Sequence, residues 1–273
     1  MDRVKAGFVI AVNPFNANQQ KRIPLVPAVP GNGVAESQDA VDAFIFWTRD
    51  PRNILANADE LDKRGFHYYV MTTITGYPHE LEPSMVSTAK SLTAMRELAQ
   101  KIGPQRVIWR YDPVFLSNIT DENFHRKNFS VLSQALSGSV KRVIISLYSD
   151  YQRSHERIKI LEQAGVFRML KPGEARTGQL QPSGHQQSEL LTDLAGSAAA
   201  AGMEIQSCAS HDDFSSCGIK PGACIDSVLI NTLWGIELKG RDKNQRPHCL
   251  CSKSVDIGSY NSCTAHCVYC YAS

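Results

Sequence analysis

The chain has 273 residues, 42% of them hydrophobic, and a formal net charge of +2. This length can bury one large core, and the near-neutral charge gives no general case for nucleic acid as a partner. No stretch approaches the roughly 18 consecutive apolar residues of a membrane span, so no membrane partner is expected. The one basic stretch is typical of a solvated loop and comprises Lys239, Arg241, Lys243, Arg246 and Lys253.

Short β-branched and aromatic runs alternate with segments of helical periodicity, which is typical of a parallel α/β domain. The predicted strands are Phe8–Val12, Ala43–Thr48, Tyr68–Thr75, Arg106–Tyr111, Arg142–Tyr148, Val166–Leu170 and Glu204–Cys208. Apolar residues at helical spacing predict helices between them, near Met85–Ala99, Phe124–Ala135, Ile158–Leu161 and Leu190–Ala198.

About six strand–helix units predict an α/β fold of the complete or partial (β/α) barrel type, with a doubly wound open sheet as the main alternative. No G-x-G-x-x-G motif follows the first strand, which argues against a dinucleotide-binding fold. We expect residues 1–210 to form the barrel-like domain, with Lys171–Gly184 as a long loop over its mouth. Residues 211–273 are expected to be a cysteine-rich, metal-binding extension packed on the barrel, with one helix over Ile225–Trp234.

All eight cysteines lie between Cys208 and Cys270. A secreted disulfide protein normally spreads its bridges along a short chain. The opening segment Met1–Gly7 leads into an apolar run, Phe8–Val12, that is too brief for a secretory signal. The cysteine usage therefore predicts metal-bound thiolates in a reduced, cytoplasmic compartment.

Three of these cysteines, Cys263, Cys267 and Cys270, form a C-x3-C-x2-C array. An iron–sulfur cubane usually has four thiolate ligands, so three leave one iron open to a small molecule. A zinc site completed by His266, His248 or another cysteine is the alternative. Ligand type and count favour the cluster.

The remaining cysteines predict a second site. Cys249 and Cys251 supply two thiolates from a polar loop, and Cys208 and Cys224 can supply two more. Four thiolates close a site completely, as structural zinc or as a second iron–sulfur cluster. Cys217 is then left over, unless it replaces Cys208 or Cys224.

Two opposite charges, Arg110 and Asp112, bracket Tyr111 where a predicted strand ends. In a barrel the carboxyl ends of the strands build the active face. We predict that Arg110 holds a carboxylate or phosphate and that Asp112 holds a ribose or an amine. An ion pair that only ties neighbouring loops has equal support.

The spacing of the terminal cysteines, with the aromatic Tyr269 before the last of them, resembles the cluster motif of radical S-adenosylmethionine (SAM) enzymes. The resemblance implies a [4Fe-4S] cluster on Cys263, Cys267 and Cys270, with SAM on the open iron and Tyr269 near its adenine. It also implies a 5′-deoxyadenosyl radical acting on an unknown substrate, and an electron donor such as a flavodoxin or a ferredoxin. In a nearly closed barrel the first and last elements are neighbours, so a C-terminal loop can reach the mouth.

Four phrases also resemble a bacterial family known only as domain of unknown function 1848: Asn13–Asn16, Phe46–Pro51, Arg106–Pro113 and Asp256–Asn261. This resemblance implies a cluster at the terminal cysteines and supplies no reaction. The first functional hypothesis is therefore a radical SAM-like iron–sulfur enzyme. The second is a non-catalytic binding or redox protein that zinc or an iron–sulfur cluster stabilises.

Overall fold

A computed structural model describes residues 41–170, 188–241, 243, 245–255 and 263–270, and the backbone of 9–12, 28–29, 33–34, 183–187 and 256. Its strands are β1 (Val9–Val12), β2 (Ala28–Val29), β3 (Gly33–Val34), β4 (Ala43–Thr48), β5 (Tyr68–Thr73), β6 (Val107–Val114), β7 (Arg142–Leu147), β8 (Glu204–Cys208), β9 (Lys220–Gly222) and β10 (Val255–Asp256). Eight of them form one parallel sheet in the order β10-β1-β4-β5-β6-β7-β8-β9. Strands β2 and β3 form a separate antiparallel pair.

From β1 to β9, the spatial order of the sheet follows the order of the chain. A doubly wound sheet reverses its strand order at a switch point, and this sheet has no such reversal in the described residues. Strand β10 pairs with β1, so the last strand of the chain lies beside the first. The predicted α/β class is confirmed. Closure into a barrel is not, because β9 and β10 are the two edges of the described sheet.

Helices occur at every predicted place, and one further helix precedes them. They are α1 (Arg52–Lys63), α2 (Thr88–Ile102), α3 (Glu122–Leu136), α4 (Gln152–Gln163), α5 (Ser183–Ala200) and α6 (Ser227–Trp234). The carboxylate of Asp121 caps α3 by accepting from the N–H of Phe124 at 2.9 Å. Helix α2 ends at Gly103, whose φ of +94° favours glycine. The unpredicted α1 buries Ile54, Ala58 and Leu61.

Alternate strand residues face opposite sides of the sheet, because successive side chains in a strand point to opposite faces. One face packs against α1, α2, α3 and α5, as expected when each connection returns along the same side. Its strand residues include Phe44, Phe46, Tyr68, Val70, Val107, Trp109, Tyr111, Val143, Ile145 and Ile205. These helices therefore cover one side of the sheet and leave the other to be covered by something else.

The cysteine-rich extension covers that other face. Ile225, Ile230 and Ile236, on and around α6, pack with the strand residues Tyr69 and Ile108 in one buried cluster. The extension also supplies β9 and β10, the two edge strands. The predicted boundary at residue 210 thus marks a change of composition, while the described residues on both sides of it share one sheet and one core.

One strand prediction is wrong. Residues Val166–Leu170 follow α4 as a loop outside the sheet, in which Met169 forms an isolated antiparallel bridge with Ser117 and the N–H of Leu170 donates to the carbonyl oxygen of Leu116 at 3.0 Å. The apolar composition that predicted a strand comes from packing, since Phe167 is 2% exposed in the cluster at the carboxyl ends of the strands. Of the predicted loop over Lys171–Gly184, residues 171–182 lie outside the described residues.

Across the described residues, none of the helices is both long enough and apolar enough to span a membrane.

Substitution of Phe129 tests whether the face of the sheet covered by helices is a close-packed core. Its ring is 0% exposed, and its centroid lies 4.8 Å from that of Trp109 and 5.0 Å from that of Tyr111. We predict that Phe129→Ala lowers the free energy of unfolding by about 3–5 kcal/mol, because it removes a ring from a close-packed core. Denaturant unfolding followed by circular dichroism measures this loss.

The matched control is Val131→Ala, on the same helix but 67% exposed, which should change stability by less than about 0.5 kcal/mol. Equal losses in the two variants would contradict the assignment of the buried face.

Candidate functional site

The loop that bears the C-x3-C-x2-C array, residues 263–270, lies at the carboxyl edge of the sheet. It packs there with Tyr77 and Phe115, which follow β5 and β6, and with Ile158 of α4. In a parallel sheet all carboxyl ends lie on one edge, so this is the edge where the sequence predicts the active face. Cys267 is 3% exposed, and Cys263 and Cys270 are partly buried.

Consecutive residues of this loop are held by different parts of the fold. The N–H of Val268 donates to the carbonyl oxygen of Leu81, beyond β5, at 3.1 Å. Arg157 of α4 donates to the carbonyl oxygen of Cys270. The loop is therefore fixed against the sheet and against α4 at the same time.

A buried polar network holds Tyr269 between these two anchors. Arg49, directly after β4, donates to Glu82 at 2.6 Å and to the Tyr269 hydroxyl oxygen at 2.7 Å. The same Glu82 oxygen accepts hydrogen bonds from the hydroxyls of Tyr269 and Thr75. The side chains of Arg49 and Glu82 are 11% and 5% exposed, so the ion pair is nearly shielded from water.

The ring of Tyr269 is enclosed as well as its hydroxyl. It meets Tyr77 edge-on, with 5.8 Å between centroids, and lies 5.7 Å from the ring of Phe115. Tyr269 is 5% exposed, and burial raises the pKa of its phenol, which therefore stays protonated and able to donate. These contacts make Tyr269 an anchor of the loop, and its predicted contact with adenine stays a prediction.

Burial also raises the pKa of two of the terminal thiols. It raises the pKa of Cys267 to about 12 and raises that of Cys263. The positive charge of Arg49 opposes both shifts, since it favours a thiolate. Arg49 remains charged despite its burial, because the adjacent Glu82 raises its pKa. The neighbouring thiols add to both shifts, Cys270 raising the pKa of Cys263, and Cys270 and Cys263 raising that of Cys267.

The second predicted group of cysteines is assembled on the face that the extension covers. The sulfur atoms of Cys208, at the end of β8, and Cys224 are 3.0 Å apart. The sulfur of Cys251 accepts from the N–H groups of Cys224, at 3.2 Å, and Ile225, at 3.4 Å. Cys249 packs against the same buried cluster.

Arg110 and Asp112 lie with this second group. An Arg110 nitrogen is 2.7 Å from the Cys224 sulfur, and the same guanidinium pairs with Asp112. Asp112 in turn accepts from the hydroxyl of Ser146 on β7. The two residues are therefore engaged with each other and with a thiol, and their predicted roles in holding a ligand stay predictions.

The pKa values of Cys208 and Cys224 are shifted in opposite directions. A hydrogen bond from the Cys208 thiol, together with the nearby Arg110, lowers the pKa of Cys224 well below its usual value. The same hydrogen bond raises the pKa of Cys208. Cys217 lies elsewhere, packed in the cluster between the sheet and the helices, so it replaces neither of them.

Within the described ranges, no three His, Cys, Asp or Glu side chains already converge as a set of metal ligands. The donor chemistry of the terminal loop nevertheless fits a cluster, because thiolates are the ligands of iron–sulfur centres. The N–H of Ala265 donates to the Cys263 sulfur at 3.4 Å, and such donors stabilise sulfur that carries negative charge. His266 has a φ of +50°, which turns the chain between the first two cysteines.

Sequence reasoning missed the polar residues that hold the terminal loop. Arg49 directly follows one predicted strand and Thr75 ends another, which is a weak signal shared with many loop residues. Glu82 follows no motif, and 187 positions separate it from Tyr269. Only the fold brings these residues together.

Substitution of Glu82 tests the network. We predict that Glu82→Gln lowers the free energy of unfolding by about 3–5 kcal/mol, because it leaves the Arg49 charge buried without its counter-charge. Denaturant unfolding of the metal-free protein measures the loss.

The control is Glu60→Gln, which breaks the exposed pair of Glu60 with Arg64 (2.7 Å) and should have little effect, because water screens that pair. A Glu82→Gln variant as stable as this control would show that the buried pair does not hold the loop.

Comparison with known proteins gives a family for the chain and similarities of low identity to solved structures. No curated protein matches it. Two solved structures are 9% identical to it: N-isopropylammelide isopropylaminohydrolase from Burkholderia multivorans ATCC 17616, and 3-keto-D-glucoside 4-epimerase from E. coli in its apo form. The first match has a TM-score of 0.29 and covers 71% of this chain but only 54% of that one. The second has a TM-score of 0.31 and covers 76% and 80%.

The family described as a domain of unknown function, DUF1848, matches residues 1–272. Its match extends over nearly the whole chain, including the terminal cysteines, as the sequence resemblance predicts. The chain therefore belongs to the DUF1848 family.

Proposed function

We propose that this protein binds a [4Fe-4S] cluster through Cys263, Cys267 and Cys270 and that the iron without a protein ligand binds SAM. The observation that supports this most is the anchoring of the terminal loop at the carboxyl edge of a parallel sheet. A fixed loop with three thiols at this edge gives a cluster a defined position beside the region where α/β proteins hold their substrates.

The surrounding residues have separate roles in this proposal. Tyr269 locks the loop by filling the space between Tyr77 and Phe115. Glu82 keeps Arg49 in place, and the charge of Arg49 favours thiolate at Cys267. The apolar cluster around the loop excludes water, which protects a reduced centre.

When bound, such a cluster supplies the electron that cleaves SAM reductively. The chain's own contribution is to position SAM and substrate at the carboxyl edge and to shield them. We further propose that the sheet is a partial (β/α) barrel. This is supported by its single winding direction and by the pairing of β10 with β1. In such a barrel, the pairing of β10 with β1 would bring the C-terminal part of the chain to the mouth.

An electron donor such as a flavodoxin or ferredoxin and a reduced, cytoplasmic location belong to the same proposal. All eight cysteines lie in the described residues as free thiols, which agrees with a reduced compartment.

The second candidate function is non-catalytic, with the terminal metal serving to stabilise a binding or redox protein. The burial of Tyr269 favours it, because a loop held this tightly also suits a purely structural centre. The two candidates differ in what they do with SAM.

Measurement of the iron content tests whether the terminal cysteines bind a cluster. Anaerobic reconstitution with iron and sulfide should give roughly four irons that depend on the terminal cysteines, with broad brown absorbance. We predict that Cys267→Ala loses these irons and that Cys217→Ala keeps them, because Cys217 packs on the helix-covered face. Stoichiometric zinc with no iron after anaerobic purification would contradict the proposal.

The same preparation separates the two candidates. Reduced wild-type protein mixed with SAM should release 5′-deoxyadenosine, quantified by liquid chromatography and mass spectrometry, and Cys267→Ala should release none. Iron at full occupancy without 5′-deoxyadenosine would support the non-catalytic candidate instead.

A further inference from the structure

A thiol group separate from the terminal loop joins three parts of the fold. We call Cys208, Cys224, Cys249 and Cys251 the Cys224 group. Cys208 ends β8, Cys224 follows β9, and the Cys249–Cys251 segment precedes β10. The group thus connects the last strand of the main series, one edge strand and the segment that leads to the other edge.

The backbone brings these segments unusually close. At the end of β9, a Cβ on Gly222 would lie 2.5 Å from the side chain of Gln206 on β8, so only glycine fits there. Beyond it, the N–H of Ser252 donates to the carbonyl oxygen of Ile225 at 3.0 Å, joining the two cysteine-bearing loops. The segments that carry the four cysteines therefore lie side by side, and the sulfur atoms of Cys208 and Cys224 are already in contact.

We infer that the Cys224 group is a closed site for one zinc ion, independent of the terminal cysteines. The spacing of the pair Cys208 and Cys224 favours a single ion over a cluster. Four sulfur atoms at about 2.3 Å from one zinc lie about 3.8 Å from one another. The sulfur atoms of Cys208 and Cys224 are 3.0 Å apart, so a shift of less than an ångström brings this pair to the spacing of two zinc ligands. In a cubane each thiolate binds a different iron, which holds the sulfur atoms farther apart.

The surroundings also suit bound thiolates. Four thiolates around a divalent ion carry excess negative charge, and Arg110 lies 2.7 Å from the Cys224 sulfur. The two N–H groups that donate to the Cys251 sulfur are the kind of second layer that orients metal ligands. Zinc takes the place of the thiol protons, which are released to water as it binds.

This site gives Arg110 and Asp112 a positioning role. Asp112, held by Ser146, orients the guanidinium of Arg110 towards the sulfur of Cys224. The ion would in turn tie the extension to the sheet face that it covers. Zinc-bound protein should therefore resist unfolding better than the zinc-free form.

The test uses the full chain with Cys263, Cys267 and Cys270 all changed to Ser, so its result does not depend on the proposed cluster. Loaded with zinc and dialysed, this variant should keep about one zinc per chain by mass spectrometry. Adding Cys224→Ser should abolish retention, whereas adding Cys217→Ser should not. Cobalt in place of zinc should show the intense visible bands of tetrahedral thiolate coordination.

X-ray absorption on the triple variant needs no change to the Cys224 group, so it remains decisive if Cys224→Ser fails to fold. We expect a shell of four sulfur atoms at about 2.3 Å from zinc. Loss of zinc on dialysis, a ligand shell of nitrogen and oxygen, iron in place of zinc, or a Cys208–Cys224 disulfide in its stead would each overturn the inference.

Discussion

A carboxylate, a guanidinium and a phenol meet at the carboxyl edge of the sheet with almost no access to water, and the position of the terminal loop depends on them. Removing Arg49 and Glu82 from water is costly, and only close pairing with additional hydrogen bonds offsets that cost. Tyr269 supplies one of those bonds, so displacing the loop would leave the buried ion pair incompletely satisfied. The same contact that stabilises the fold therefore fixes where the three thiols lie.

The second face of the sheet, which the four helices leave uncovered, explains why the cysteine-rich extension is part of this domain. Four helices cover one face, and a parallel sheet is stable only when its second face is covered too. Residues around α6 provide that cover. A zinc ion on the Cys224 group would hold this cover in place, and the terminal loop at the carboxyl edge would hold the proposed cluster. One cysteine-rich segment would thus serve structure in one part and function in another.

Much of the fold follows from periodicity, because strand and helix patterns are local properties of the sequence. For that reason the predicted first and last residues of two strands, Ala43–Thr48 and Glu204–Cys208, agree with the structure. Composition could not show that Val166–Leu170 packs as a loop, since both environments require buried apolar residues. The two cysteine groups could be proposed as metal sites from the sequence because few residue types bind soft metals, and that assignment stays a prediction. Glu82 could not be proposed as a site residue, because a carboxylate in a loop has no distinguishing pattern.

The proposed function requires the terminal loop to leave one iron of a cluster open to SAM. Electron paramagnetic resonance of the reconstituted, dithionite-reduced protein reports on that iron, with spectra recorded before and after SAM is added. A small molecule bound to an iron changes the field around the cluster, so we expect the g values to shift on addition of SAM. A spectrum that SAM leaves unchanged would contradict it.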